Sequence, residues 1–371
     1  MSKKTPQFFR NPLKDRTLIQ RRRAADYLLV TVLSFGFSVG ATRLLLDLTG
    51  YPQFGAGNLH IAHVLWGGLF LFIAALLPII YINEWVIALS ALISGFGVGL
   101  FIDEVGKFIT QTNDYFFPSA APIVYVLFLL TVFIFTQVRI ERRPSSRSIF
   151  YGIMERLTEI LDRDLSEDEA VEIQKKLKII MDRNDDPDLS QLAKGIQTYF
   201  DSDAKRLVQP DPTFIEKVTL SVQRFEEKHV SRKRLKTLIF IGLLIWAAWS
   251  LISPLGYLAA TKNPAQLQIL LDQLINQKLI YNQSGLTWFQ ARVLLEGSTG
   301  ILAVIAAFLL VINREKAGIW LGIADMLITL TIVNLLIFYF DQFSTIILAI
   351  YQFTLFSILL RYQRRFVKVK K

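Results

Sequence analysis

The chain has 371 residues, is 52% hydrophobic with a mean hydropathy of +0.39, carries a formal net charge of +10 and contains no cysteine. That composition excludes a soluble globular protein, because apolar runs of about twenty residues, the length that crosses a bilayer, recur along the sequence. It also excludes disulfides, thiolate nucleophiles and zinc–thiolate centres. The basic excess lies in tails and loops, where it sets membrane orientation, so the lipid bilayer is the expected partner and nucleic acid is not.

Residues 1–23 form a basic tail ending in Arg21-Arg22-Arg23. The apolar run from Tyr27 to Leu46 follows. It has signal-peptide character, with Val39-Gly40-Ala41 where a cleavage site would stand, yet it is longer than an h-region and is read as a retained anchor. The next spans are His60 to Tyr81, Trp85 to Phe108 and Ala120 to Val138, the last running into Arg139, Arg142 and Arg143. Residues 24–138 are therefore a four-span half.

From 139 to 236 charges of both signs appear with helical periodicity. Phe150, Ile153, Met154, Leu157, Ile160 and Leu161 form one apolar stripe. Ser166 with Glu169 reads as a capping box before Ile173, Leu177 and Ile180. Pro187 precedes a helix with Leu189, Leu192, Ile196 and Phe200, and Asp211-Pro212 opens a fourth with Phe214, Val218 and Phe225. His229, beside Glu226, Glu227 and Lys228, reads as a solvated surface residue. This segment is expected to be a cytoplasmic helical domain.

Residues 237–361 form a second four-span half, with spans Leu238–Tyr257, Phe289–Ile312, Gly318–Phe340 and Ser344–Leu360. Leu267, Leu270, Leu271 and Leu274 mark an amphipathic helix between its first two spans. Residues 362–371 are a basic tail. The expected fold is all-α: a polytopic transmembrane bundle of about eight spans in two four-helix halves, in a bacterial inner membrane with both termini cytoplasmic. The halves read as a parallel repeat, because Ile61-Ala62-His63-Val64-Leu65 aligns with Gln290-Ala291-Arg292-Val293-Leu294.

Polar groups in such spans are expensive and tend to be functional. At about 1.5 Å per residue, Arg43 and Asp103 each lie roughly 25 Å from the inner start of their spans, level with His60 and His63. His60, His63 and Gly67 share one helix face and Gly95, Gly99 and Asp103 another. If these glycine seams pack antiparallel, His63 meets Asp103. Imidazole and carboxylate together suit a divalent transition metal, zinc or iron, with open positions for water. His60, His63 and Asp103 are the expected ligands, Glu104 the general base and Arg43 the contact for an anionic group.

A structural reading competes for the same residues. His60 and His63 would be interfacial or interhelical hydrogen-bonding groups, Asp103 and Lys107 a surface pair at i, i+4, and Arg43 a snorkelling side chain. Arg292 and Glu296 read as an intramembrane ion pair. Asp325, alone in mid-span, requires a partner or water.

Leu59-His60-Ile61-Ala62-His63 with Gly67-Gly68, then Gly97-x-Gly99-Leu100 and Asp103-Glu104, resembles a family of bacterial integral membrane proteins over about Arg43 to Pro122. Members carry a further histidine where Ala62 stands here. No activity is established for that family, so the resemblance implies a site and no reaction. A looser similarity links the pattern to alkaline ceramidase and progestin-receptor-like hydrolases, whose third histidine in a late span has no counterpart here.

The leading expectation is an outward-facing, metal-dependent, hydrolase-like site acting on a lipid or lipid-linked substrate. The alternatives are an ion-coupled transporter using Asp325, Arg292 and Glu296, or a sensor or scaffold whose helical segment 139–236 binds a cytoplasmic protein. A homo-oligomer is compatible with each.

Overall fold

A computed structural model describes residues 18–50, 62–140, 144–162, 165–202, 231–276 and 283–367. His60, His229 and the helix expected from Asp211 lie outside the described residues. Every regular element among the described residues is helical. In chain order they are α1 (Ala24–Thr49), α2 (His63–Ile80), α3 (Glu84–Asp103), α4 (Val105–Ile109), α5 (Ala120–Arg139), α6 (Ser146–Asp162), α7 (Glu167–Arg183), α8 (Pro187–Asp201), α9 (Arg232–Thr261), α10 (Pro264–Asn276), α11 (Gln283–Val311), α12 (Glu315–Ile328), a π-helical turn (Thr329–Val333), α13 (Asn334–Asp341), a 3₁₀ turn (Gln342–Thr345) and α14 (Ile346–Phe366). Eight stretches are long and apolar enough to cross a membrane, namely α1, α2, α3, α5, α9, α11, α12 through α13, and α14. The chain is a multi-pass membrane protein.

It divides into two compact units, Met1–Tyr27 with Ile134–Ser221, and Leu28–Phe133 with Val222–Lys371. In the first unit, Ile153, Ile173, Leu177, Ile180, Ala193 and Phe200 form a fully buried core. The capping box forms as the sequence requires: the Ser166 hydroxyl accepts from Glu169 N, and the Glu169 carboxylate accepts from Ser166 N. Asp186 caps α8, with Pro187 in its first turn. Met154 and Leu192, expected on apolar faces, are exposed, each at the edge of its stripe. Arg21 and Arg22 of the basic tail pair with Glu155 and Glu159 of α6.

In the second unit, the first half packs by glycine contacts, on different faces from those expected. A Cβ on Gly67 would fall 2.6 Å from Phe101 N, and one on Gly97 would fall 3.0 Å from Gly67 O. The backbones of α2 and α3 therefore touch at Gly67 and Gly97. Gly95 and Gly99 instead face α1, against Ser34, Phe35 and Ser38, and the Ser38 hydroxyl donates to Phe96 O at 3.1 Å. Residues two apart on a helix point roughly 200° apart. The Gly-x-Gly-x-Gly run thus lets α3 approach both neighbours closely, as small residues do in membranes.

The second half is organised around Leu235, Ile239, Leu243, Trp246, Ala303, Leu310, Met326, Leu355, Leu359 and Tyr362. Ser250 on α9 donates to the Glu296 carbonyl on α11. The amphipathic α10 packs Leu274 with Phe289, Val293 and Phe340. The halves meet where α5 lies against the π-helical turn and α14, around Ala121, Tyr125, Phe338 and Ala349. In that turn Asn334 N bonds to Thr329 O, which withdraws the helical partner of Leu330 O. Tyr125 OH supplies the replacement at 2.7 Å, and Asn334 Nδ2 donates to Gln352 Oε1 at 2.6 Å.

Candidate functional site

The polar cluster forms at the end of the first half where α1 finishes, α2 begins and α3 stops. The third span, expected to run unbroken to Phe108, breaks after Asp103, with Glu104 at φ −89°, ψ 10°. The cause is local. Lys107 N bonds to Glu104 O at 3.0 Å rather than to Asp103 O, one residue earlier. The freed Asp103 carbonyl accepts from Arg43 Nη2 at 3.0 Å. The break places Asp103 and Glu104, consecutive and almost wholly buried, inside the cluster.

Each carboxylate is matched with donors. Arg43 Nε donates to Asp103 Oδ1 at 2.6 Å. Asp103 Oδ2 receives Tyr115 OH at 2.6 Å and lies 3.1 Å from His63 Nε2. Glu104 Oε1 accepts from Lys107 Nζ at 2.6 Å, and Oε2 from Val64 N at 3.2 Å. His63 Nδ1 stands 3.6 Å from Glu104 Oε1, so the imidazole faces a carboxylate through each ring nitrogen. The Arg43 guanidinium also covers the Tyr115 ring, 4.1 Å from its centroid, a geometry that adds cation–π attraction. The carboxylates of Asp103 and Glu104 are balanced by the cationic side chains of Arg43 and Lys107.

Tyr115 is the residue that sequence reasoning missed. It stands in the loop after α4, which folds inward because Gly106 has no side chain: a Cβ there would fall 2.6 Å from Asp114 O and 3.1 Å from Tyr115 O. Thr110 Oγ1 accepts from Asp114 N, Asp114 Oδ1 accepts from Phe116 N, and Asn113 takes the left-handed conformation at φ 53°. Asn-Asp followed by an aromatic was the available signal, since those residues favour such turns. Burial raises the Tyr115 hydroxyl above the ordinary tyrosine range, and the negative charge of Asp103 raises it further. It acts as a neutral donor.

Of the expected ligands and base, the structure brings together His63, Asp103, Glu104 and Arg43. Lys107 pairs with Glu104 rather than Asp103, because the helix break turns the i, i+3 neighbour toward it. Arg43 is buried and paired, so it does not snorkel. Among the described residues, no group of three or more histidines and carboxylates is arranged to hold a metal.

The second half carries a counterpart. Arg292, near the start of α11, donates through Nη1 to Asp341 Oδ1 at 3.0 Å and through Nη2 to Oδ2. Its Nε lies 3.6 Å from Glu296 Oε2. The anticipated i, i+4 pair is therefore secondary to a bidentate pair with the end of the seventh span. Start-of-second-span to end-of-third-span pairing, His63 with Asp103, recurs as Arg292 with Asp341.

Asp325 lies apart from both clusters, in α12 within the second-half core. It is 0% exposed, and neither carboxylate oxygen has a hydrogen-bond partner among the described residues. Thr329 Oγ1, one turn along at the start of the π-helical turn, is likewise buried and without a hydrogen-bond partner among the described residues. The Trp246 indole is directed at Asp325 as a donor, short of full hydrogen-bond geometry. No known family, curated protein or solved structure matches the chain.

Proposed function

We propose that the protein is an ion-coupled membrane transporter in which Asp325 carries the coupling ion. The observation behind this reading is the wholly buried Asp325 carboxylate, in mid-span with both oxygens unpartnered among the described residues. A charge there, with no basic side chain among the described residues acting on it, is uncompensated, and such a charge must be neutralised by a proton or by a bound cation. Thr329 offers a second oxygen. The π-helical turn that begins at Thr329 is an element that recurs at functional sites, and it abuts the seam between the halves, where transporters built from repeats bind their substrates.

The test is flux in proteoliposomes loaded with a pH-sensitive dye, under imposed proton or sodium gradients. Wild type should dissipate one gradient faster than empty liposomes, and Asp325→Asn should abolish the difference. No flux above empty liposomes, or an Asp325→Asn protein as active as wild type, defeats the reading.

A second reading keeps the first-half cluster as a hydrolase-like centre for a lipid or lipid-linked substrate, with zinc or iron on His60, His63 and Asp103 and Glu104 as base. The convergence of His63, Asp103 and Glu104 favours it. Against it, Arg43, Tyr115 and Lys107 already donate to the oxygens a metal needs. Metal analysis of the purified wild type, His63→Ala and Asp103→Ala decides: stoichiometric metal lost in both variants supports this centre, and a metal-free wild type removes it.

A further inference from the structure

The two charged clusters, one in each half, are joined by a short run of contacts. Tyr115 OH holds Asp103. The next residue, Phe116, offers its carbonyl to Gln342 Nε2 at 2.7 Å. The residue before Gln342 is Asp341, held by Arg292, which stands beside Glu296. One of the adjacent residues Tyr115 and Phe116 thus touches one of the adjacent residues Asp341 and Gln342, and the other member of each pair is held by a charged or polar partner in its own half.

Neither side of the junction is slack. Tyr115 and Phe116 are fixed by the Thr110 and Asp114 hydrogen bonds and by the close approach of the loop to Gly106. Gln342 takes φ 49° and ψ −137°, a conformation suited to glycine and strained for a residue with a Cβ. Strain of this kind persists only where surrounding contacts over-determine it, and it collects at switch regions. The contacts here are the Phe116 carbonyl, the Arg292–Asp341 pair on the preceding residue, and the Thr345 hydroxyl on Gln342 O at 3.1 Å.

We infer that the Phe116–Gln342 contact is a latch that couples the Asp103 cluster of the first half to the Arg292–Asp341 pair of the second, so that opening one loosens the other. The inference deepens the transporter reading by naming its gate, and it rests on that reading only for the purpose of the motion. A rigid junction transmits displacement because packed elements change between discrete arrangements rather than deform smoothly. Breaking the Arg292–Asp341 pair frees the strained Gln342 to relax, which withdraws Nε2 from Phe116 and with it the support of Tyr115 on Asp103.

The chain has no cysteine, so a single introduced thiol reports without background. Val64 is 8% exposed and its amide donates to Glu104, which makes Val64→Cys a reporter of the first cluster. In full-length protein in nanodiscs, Arg292→Lys should raise its labelling by a soluble maleimide about fivefold or more, the low end of site-to-site coupling. In a Gln342→Ala background, Arg292→Lys should add nothing. Labelling unchanged by Arg292→Lys, or raised equally with and without Gln342, overturns the latch. Asp341→Asn replaces Arg292→Lys where the latter fails to fold, and hydrogen exchange at the Val64 amide gives the same readout without a reporter. Neither measurement needs a transported solute, so a failed flux assay with intact coupling sinks the transporter and spares the latch.

Discussion

Removing Arg43 is the sharpest test of how the first cluster is held together. Its side chain is 6% exposed and that of Asp103 is 0% exposed, so solvent does not take over when the guanidinium is lost. Arg43→Ala strips Asp103 Oδ1 of its donor and leaves the Asp103 carbonyl, already released by the helix break, without one. Removing one partner of a buried ion pair costs about 3–5 kcal/mol, most of it from the uncompensated charge that remains. Asp103→Asn removes that charge while keeping an acceptor for Tyr115. The double variant Arg43→Ala, Asp103→Asn should therefore be more stable than Arg43→Ala alone, with a coupling energy of about 2 kcal/mol or more. Reversible unfolding in mixed detergent–SDS micelles, followed by circular dichroism, measures all four corners of the cycle. An Arg43→Ala protein within about 0.5 kcal/mol of wild type, or strictly additive losses, would show that the pair is no more than a surface contact.

Tyr115→Phe removes one hydrogen bond to a charged group and should destabilise by about 1.5–3 kcal/mol in the same assay. Tyr115 also gives a pH signature. Its hydroxyl is raised in the folded state, so its contribution is complete below the unfolded tyrosine value of about 10 and declines as pH rises beyond that, where the unfolded chain ionises first. The alkaline fall in stability should be shallower in Tyr115→Phe, and identical slopes would refute the assignment. Gly67→Ala should cost about 1–3 kcal/mol by overpacking, because its Cβ meets the α3 backbone. Gly68→Ala should be neutral or stabilising, since nothing lies within 4 Å of the Cβ added there. Equal effects at the two positions would contradict the α2–α3 contact. Ser166→Ala should remove about 0.5–2 kcal/mol from the helical unit by loss of its cap, read as reduced protection of α7 in hydrogen exchange.

Much of this architecture was legible because membrane spans announce themselves by length and apolarity, and helix caps by residue type. The eight spans and the Ser166 cap follow from those local rules. The meeting of His63 with Asp103 was also legible, since helical rise places both at one height. The partners were harder. A pattern of glycines says that neighbours come close without saying which neighbour faces which glycine, and so Gly95 and Gly99 turned out to face α1. Lys107 was misassigned because i, i+4 spacing holds only in an unbroken helix, and Arg43 itself supports the break after Asp103. Tyr115 and the Asp341 partner of Arg292 were hidden because loops and span ends meet through tertiary contacts that no period encodes.

The three charged centres described above in the membrane spans and at their ends differ in one respect that bears on function. Around Asp103 and Glu104, donors match acceptors, and a guanidinium fork holds Asp341, while Glu296 Oε2 beside it has no hydrogen bond among the described residues. Such centres hold helices together and resist a new ligand, because an incoming group must displace a partner already in place. Among the described residues Asp325 has no charged partner and only the Trp246 indole acts on it. A fold that only needed stability would be served better by an apolar residue there, since an unpaired buried acid opposes folding. The position therefore calls for something that comes and goes, while the two paired centres tie spans together within each half. A leucine at 325 separates these roles: Asp325→Leu should leave unfolding stability equal to or above that of wild type, whereas Asp103→Leu should lower it by several kcal/mol, about the amount expected when a buried pair loses one member. If Asp325→Leu proved as damaging as Asp103→Leu, Asp325 would be a structural group with partners of its own, and the distinction between holding and moving would fall.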